Sequence, residues 1–300
     1  QCKVMNEFNI IERFFTRPTA SAVGIGDDCA VVNIPEGKQL CVTTDTLISD
    51  VHFPKNTLPA DIGYKSLAVS LSDLASCAAT PAFATLNLTL PDIDKLWLKE
   101  FSRGFFKCAD AFGIPLIGGD TTHGPLSITV TANGFVDRNK ALLRSNACVG
   151  DAICVTGPLG DAALYLAGKL KSESARRKLD HPTPRVETGL LLRDIATSCI
   201  DISDGLSQDL HHILNQSHVG AELHTIPLSE EASNVDGAGE HALSGGDDYE
   251  LCFTAPRDAL AHLPKETHIE IGVITEKPGC VFIDSTGNQT VINPKGFLHF

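Results

Sequence analysis

SCIDISDGLSQDLHHIL, residues 198–214, sets a short apolar strand, an acidic glycine turn and a helical pattern end to end. AICVTGPLGDAALYLAGKL, residues 152–170, follows the same plan with a Gly-Pro-x-Gly turn. A strand that runs directly into a helix has to bury both apolar faces in adjoining layers, so the chain is confined to an α/β or α+β architecture. The rest of the sequence agrees. LCVTTDTL (40–47), FATLNLTLP (83–91) and LSITVTANGFV (126–136) have strand character, and IPLIGGD is a short buried strand ending in a glycine turn. Residues 60–79 place Ile62, Leu67, Leu71, Leu74 and Ala78 at helical spacing, with Asp61 as N-cap and Pro81 as the stop. Residues 96–112 form a second amphipathic helix carrying Phe101, Phe105, Cys108 and Phe112, and residues 10–15 form a short one.

Beyond residue 149 the pattern starts afresh. A helix is expected over 186–196, strands in GAELHTIPL, ELCFTA and HIEIGVIT, and a hairpin in VFIDSTGNQTVI. Residues 171–185 read as a connection because of their charges and prolines, and 229–240 carry nothing diagnostic. Two α/β or α+β domains follow, 1–145 and 146–300.

Composition narrows the function classes. With 43% hydrophobic residues the chain can bury a sizeable core. A net charge of −13 excludes a nucleic-acid or anionic-membrane partner, since both require basic surface. No window of eighteen apolar residues and no signal-peptide core is present, so no membrane span is expected. Ten cysteines without a CxxC, mostly inside apolar runs, fit reduced buried thiols in the cytoplasm better than a disulfide or zinc framework.

The acids collect at strand ends and turns. GDD carries Asp27 and Asp28, TTDT carries Asp45 and GGDTT carries Asp120. DISDG carries Asp201 and Asp204, GGDDYE carries Asp247, Asp248 and Glu250, and Asp73 lies within the 60–79 helix. Each motif alone could be a plain turn. A carboxylate in an apolar segment is costly unless paired, and lysines and arginines near these segments are too few. Mg²⁺ suits such a set, because it takes oxygen ligands from one or two carboxylates plus substrate phosphates. GIG at 24–26 lacks the third glycine of a dinucleotide fingerprint, and GPLGD lacks the Lys-Ser/Thr of a P-loop, so both are better read as turns.

Seven segments in this order, GIGDDCAVVNIP, TTDTLISDVHF, KSLAVSLSDLAS, LIGGDTTHGPLSIT, LLRSNACVGDAICVTG, DISDGLSQDL and SGGDDYELCF, resemble the thiamine-monophosphate kinase family of the aminoimidazole ribonucleotide synthetase-like superfamily. The resemblance runs from about Glu7 to the terminal GFLHF. It implies a two-domain fold: an N-terminal ATP- and Mg²⁺-binding domain whose sheet pairs with that of a second subunit, and a C-terminal α/β domain. It implies a homodimer, ATP lying between the domains, and direct in-line phosphoryl transfer to thiamine monophosphate with several Mg²⁺ ions. By the same resemblance Asp28, Thr43, Thr44, Asp45, Asp73, Asp120, Asp201 and Asp204 are metal ligands. Of these, Asp45, Asp120 and Asp204 are central to catalysis. Gly119, Asp120, Arg144 and Ser203 contact ATP, and His52, Glu250 and Phe297 contact thiamine monophosphate.

The chemistry is coherent with this. Phosphoryl transfer needs positioning and charge neutralisation more than a covalent group. Arg144 offers a fork-shaped donor suited to phosphate, or is a solvated loop arginine. His52 is a ligand or a packed strand-end residue. Glu250 is a strand-end cap or a partner for the cationic part of thiamine, and the second is preferred. Asp27 has no assigned role. Cys2 and Lys3 invite comparison with a selenophosphate synthetase, but the glycine-rich context that would accompany them is missing. Another ATP-using synthetase of the superfamily and a non-catalytic scaffold are the competing readings. GGDDYE and the intact acid set count against them.

Overall fold

The computed structural model describes residues 5–19 and 24–297; Cys2 and Lys3 lie outside them, as do the last three residues of GFLHF. The chain divides into two compact units. One comprises residues 1–74 and 80–139, the other residues 75–79 and 140–300.

The first unit begins with a short helix α1 (Glu7–Ile10), continued by a wider turn to Phe15. β1 (Lys38–Ile48), α2 (Pro59–Ser76), β2 (Thr80–Leu90), α3 (Lys95–Phe112), β3 (Leu116–His123) and β4 (Ser127–Asp137) follow. The sheet order is β1-β4-β2-β3, antiparallel except for the β2/β3 pair, whose crossover is α3. Helix α2 lies on one face of this sheet. Its Leu67, Leu71 and Leu74 are buried with Val130 and Ala132 of β4, and its Ser70 hydroxyl reaches the Val130 carbonyl at 3.5 Å. Asp94 caps α3 by accepting from the Leu96 and Trp97 amides. Trp97, Phe101 and Phe105 stack along α3, with centroids 5.0 and 6.5 Å apart, and Phe15 meets Phe101 edge-on. On the other face of β1, Leu40, Val42, Thr44, Thr46 and Ile48 are exposed at every second position. The hydroxyls of Thr44 and Thr46 pair with those of Thr131 and Thr129.

The second unit contains β5 (Ala152–Val155), α4 (Asp161–Leu166), α5 (Glu173–Asp180), α6 (Val186–Leu192), β6 (Ser198–Asp201), α7 (Leu206–Ser217) and β7 (Gly220–Leu223). It continues with α8 (Ala238–Ser244), β8 (Leu251–Ala255), α9 (Arg257–Leu260), β9 (Ile269–Thr275), β10 (Gly279–Ile283) and β11 (Gln289–Val291). The strands form a seven-stranded mixed sheet, β11-β10-β7-β9-β5-β8-β6. Strand β8 is buried at all five positions; four are apolar, and the hydroxyl of Thr254 bonds to those of Thr197 and Ser198. Leu206, Leu210 and Ile213 of α7 share a core with Ile153, Val155 and Ile200. A satellite cluster of Leu164, Leu170, Ala175, Ala232 and Ala238 joins α4, α5 and α8. The end of α2 belongs here: the Cys77 carbonyl accepts from the Leu142 amide (3.2 Å), and the Ala78 carbonyl from Arg193 (2.9 Å).

Four local expectations change. Asp61 sits inside the first turn of α2, because the Leu58 carbonyl already accepts from Asp61 and Ile62 and Pro59 takes the first helical position. Helix α2 ends through Ala78 in the left-handed region (φ 54°), leaving Pro81 within β2. The connection 171–185 contains α5, capped by Ser172, and the 229–240 stretch leads into α8. The 186–196 helix stops at Leu192.

Candidate active site

In the first unit a cavity of about 760 Å³ gathers Asp28, Gly119 and Asp120 beside the apolar side chains of Phe8, Ile11, Phe15 and Ile117. Asp28 is exposed there. Asp27 has a role after all: its carboxylate accepts from the Asp28 amide at 2.8 Å and fixes the turn that carries Asp28. Gly119 adopts φ +139°, and a Cβ on it would collide with the Leu86 carbonyl of the neighbouring strand. The glycine pair of GGD is therefore a close approach of two strands as well as a turn. Asp120 accepts from the next amide, that of Thr121, at 2.9 Å.

Asp45, Asp73 and Thr43 form a separate group against α2. Ser70 donates to Asp45 at 2.6 Å, and the Thr43 hydroxyl donates to Asp73 in a very short contact. Burial, then the charge of Asp73, push Asp45 up to about 6 despite the Ser70 bond. The register separates this group from Asp120. Asp120 pairs with Asn87, Asn87 with Thr129 and Thr129 with Thr46, so Asp120 shares a sheet face with Thr44 and Thr46. Asp45, one residue on from Thr44, faces α2. His52 is half-buried, and its Nδ1 accepts from the Ile48 amide at 3.0 Å, which leaves Nε2 to carry the proton of the neutral ring.

In the second unit Asp201 ends β6 and is buried, and Ser203 and Asp204 lie in the turn before α7. One oxygen of Asp209, 2% exposed, accepts from the amides of Ser203, Asp204 and Gly205 at 3.0–3.1 Å. Burial, then the charge of Asp204, raise Asp209 to about 7, with the three amides opposing. The GGDDY segment packs on the same turn, its Asp247 amide donating to the Ser203 carbonyl at 2.9 Å. Phe297, 44% exposed, donates its amide to the Asp204 carbonyl at 3.3 Å. His212 of α7 is lowered by burial first and then by Arg144, while Asp204 raises it, so both charges act on one ring. Arg144 itself is exposed.

Glu250 is enclosed by partners. Only 2% exposed, it accepts two bonds of 2.6 Å from Arg185, one of 2.6 Å from Thr156 and one of 3.3 Å from Lys178. Burial would raise it, yet these partners hold it below the usual carboxylate value. A carboxylate so enclosed is matched in charge by Arg185 and Lys178, which it anchors beside it. Gly157 of GPLGD makes room for it, since a Cβ there would stand 2.7 Å from the Glu250 carboxylate. Asp248 lies beside it. Burial pushes its pKa far up, Oδ1 accepts from the Gly160 amide, and Oδ2 lacks a hydrogen-bond partner among the described residues.

Arg185, Lys178 and Asp209 are the polar residues that sequence reasoning passed over. HPTPR and the charged 171–178 stretch held the first two, and Asp209 was hidden in the helical pattern after SDG. Among the described residues no three His, Cys, Asp or Glu side chains are arranged to hold a metal by themselves, and no helix is long and apolar enough to cross a membrane.

Residues 26–136 match the family described as AIR synthase related protein, N-terminal domain. The chain is 44% identical to the thiamine-monophosphate kinase of Escherichia coli K12 over 98% of both chains, and 42% identical to that of Buchnera aphidicola from Acyrthosiphon pisum, also over 98% of both. Among solved structures, the thiamine-monophosphate kinase of Stenotrophomonas maltophilia K279a superposes with a TM-score of 0.82 at 47% identity, over 87% of this chain and 90% of that one. A structure described as AaThiL complexed with AMPPCP and TMP gives 0.80 at 30% identity over 93% of each. With that identity sustained over nearly its whole length, the chain belongs to the thiamine-monophosphate kinase family.

Proposed function

We propose that this chain, a thiamine-phosphate kinase of thiamine diphosphate biosynthesis, moves the γ-phosphoryl group of ATP to thiamine monophosphate directly and in line, with several Mg²⁺ ions. The relative solved with AMPPCP and TMP supports both substrates. The observation that carries the metal reading is the Asp45–Asp73 pair against α2, where burial first and then the charge of Asp73 drive Asp45 up to about 6. A pair of carboxylates is a donor set that Mg²⁺ takes together with substrate phosphates. Asp28, Thr43, Thr44, Asp45, Asp73 and Asp120 would hold metal in the first unit, Asp201 and Asp204 in the second. Bound Mg²⁺ would supply neutralisation of phosphate charge. Gly119, Asp120, Arg144 and Ser203 hold ATP, and His52, Glu250 and Phe297 meet thiamine monophosphate. The accepting nucleophile is a phosphate oxygen, so no side chain has to become phosphorylated.

Protein mixed with ATP, Mg²⁺ and thiamine monophosphate is expected to yield thiamine diphosphate, and Asp120→Asn is expected to lower the rate by at least about 100-fold with the fold intact. No product at any Mg²⁺ concentration would sink the kinase reading; near-normal turnover of the variant would sink the role of Asp120.

Two further assignments accompany this. The exposed Leu40, Val42 and Ile48 on edge strand β1 support a homodimer formed through the first unit's sheet. Sedimentation is expected to give a dimer, and a monomer at micromolar concentration removes that claim. The nine described cysteines, all free thiols, support a cytoplasmic location.

A further inference from the structure

The turn Ser203–Gly205 is held by one side chain from within. Asp209, a turn further along α7, spends a single carboxylate oxygen on three successive amides. The carbonyls of the same residues are also engaged: Ser203 accepts from the Asp247 amide and Asp204 from the Phe297 amide. Gly205 completes the turn at φ +122°, with its Cα packed so that a Cβ would stand 2.8 Å from Ser244. The backbone of Ser203 and Asp204 is thus used up on both sides. What they offer outward is their side chains.

We propose that Asp209 is a positioning residue: its three bonds to successive amides fix the direction in which the Ser203 hydroxyl and the Asp204 carboxylate meet the nucleotide and its metal. This rests on the kinase reading, in which Ser203 contacts ATP and Asp204 a metal. Without this side chain the three amides, that of Gly205 buried and those of Ser203 and Asp204 partly so, lose their acceptor and the turn relaxes toward any other acceptor, including the phosphates themselves. Asp209 touches neither substrate, and its variants leave every residue proposed to contact one unchanged.

The test is steady-state kinetics with ATP, Mg²⁺ and thiamine monophosphate for Asp209→Ala, Asp209→Asn, Asp204→Asn and the double variant D204N/D209A. A displacement of order 1 Å in a positioned group costs about 100-fold. Asp209→Ala is expected to lower kcat about 100-fold while the KM for thiamine monophosphate stays within threefold. Asp209→Asn, which keeps one acceptor oxygen but sets an NH2 group in place of the other, should fall between, about tenfold below wild type. The double variant should lose less than the product of the two single losses, because both changes spoil the Asp204 contact. Additive losses in the double variant, or a lowered melting temperature with wild-type kcat in the folded fraction, overturn the proposal. If Asp209→Ala does not fold, Asp209→Asn decides alone: wild-type kcat in it overturns the proposal. Failure of the wild-type protein to make thiamine diphosphate would instead strike the kinase reading, so the two failures are distinct.

Discussion

Asp45→Asn is expected to abolish turnover and at the same time to raise the melting temperature of the metal-free protein above pH 6. Asp45 is mostly buried against α2, and burial together with Asp73 lifts its carboxyl from 3.8 to about 6. The neutral form is therefore the one the fold prefers. Stability contributed by this group is fully present below the unfolded value near 3.8 and is lost as pH rises through about 6. Ionising Asp45 beside Asp73 costs roughly 1–3 kcal/mol at pH 8 by that shift. Asparagine removes the cost and still accepts from Ser70. Melting in chelator at pH 5 and pH 8 checks this: the variant gains on wild type at pH 8 and little at pH 5. An equal or lower melting temperature at pH 8, or persistence of kinase activity, would show that Asp45 is an ordinary structural acid. A group whose removal stabilises the protein and stops the reaction is retained for the reaction.

Arg185→Met carries the opposite expectation, a loss of about 3–5 kcal/mol, because it leaves the buried Glu250 with only Lys178 and Thr156. Adding Glu250→Gln should recover much of this, since removing both charges of a buried pair is far cheaper than removing one. Urea unfolding of the two single variants and the double variant measures it, and a loss under about 1 kcal/mol for Arg185→Met would mean that Lys178 alone suffices. The pH dependence has a definite sign. Glu250 is held below its usual 4.5, so the stability it contributes is present above that value and fades as pH falls through the folded one. The gap between Arg185→Met and wild type should narrow in acid, as Glu250 takes up a proton in the variant.

Most strands and the long helices were legible from period alone, because α2 and α3 bury apolar stripes and β1, β2 and β4 alternate. Helix α5 was not. ESARRKLD turns only Ala175 and Leu179 toward the core, and its charges and the following prolines gave it the look of a loop. The acid clusters were legible as a concentration of charge, but their sorting was not. Thr44 and Asp45 are neighbours in sequence, yet one belongs to the face shared with Asp120 and the other to the face covered by α2. Only strand register decides that, and a single-residue step reverses it. The surroundings of Glu250 were hidden for a related reason. Its partner Arg185 is 65 positions away in the chain, beyond any local pattern. Asp209 was passed over because an acid at a polar position of an amphipathic helix is ordinarily solvated, and nothing local marks this one as buried.

The end of α2 has a consequence for how the protein is handled. Ala75–Ala79 count with the second unit, where Leu142 and Arg193 bond to their carbonyls. The two units are interleaved along the gene, with five codons of one set inside the other. A fragment started at residue 140 leaves those codons behind, and the Leu142 amide and the Arg193 guanidinium lose their acceptors. Split-protein sensors, domain swaps between relatives and limited proteolysis should treat 75–79 as C-terminal material, and the chain is better dissected by substitution than by scissors.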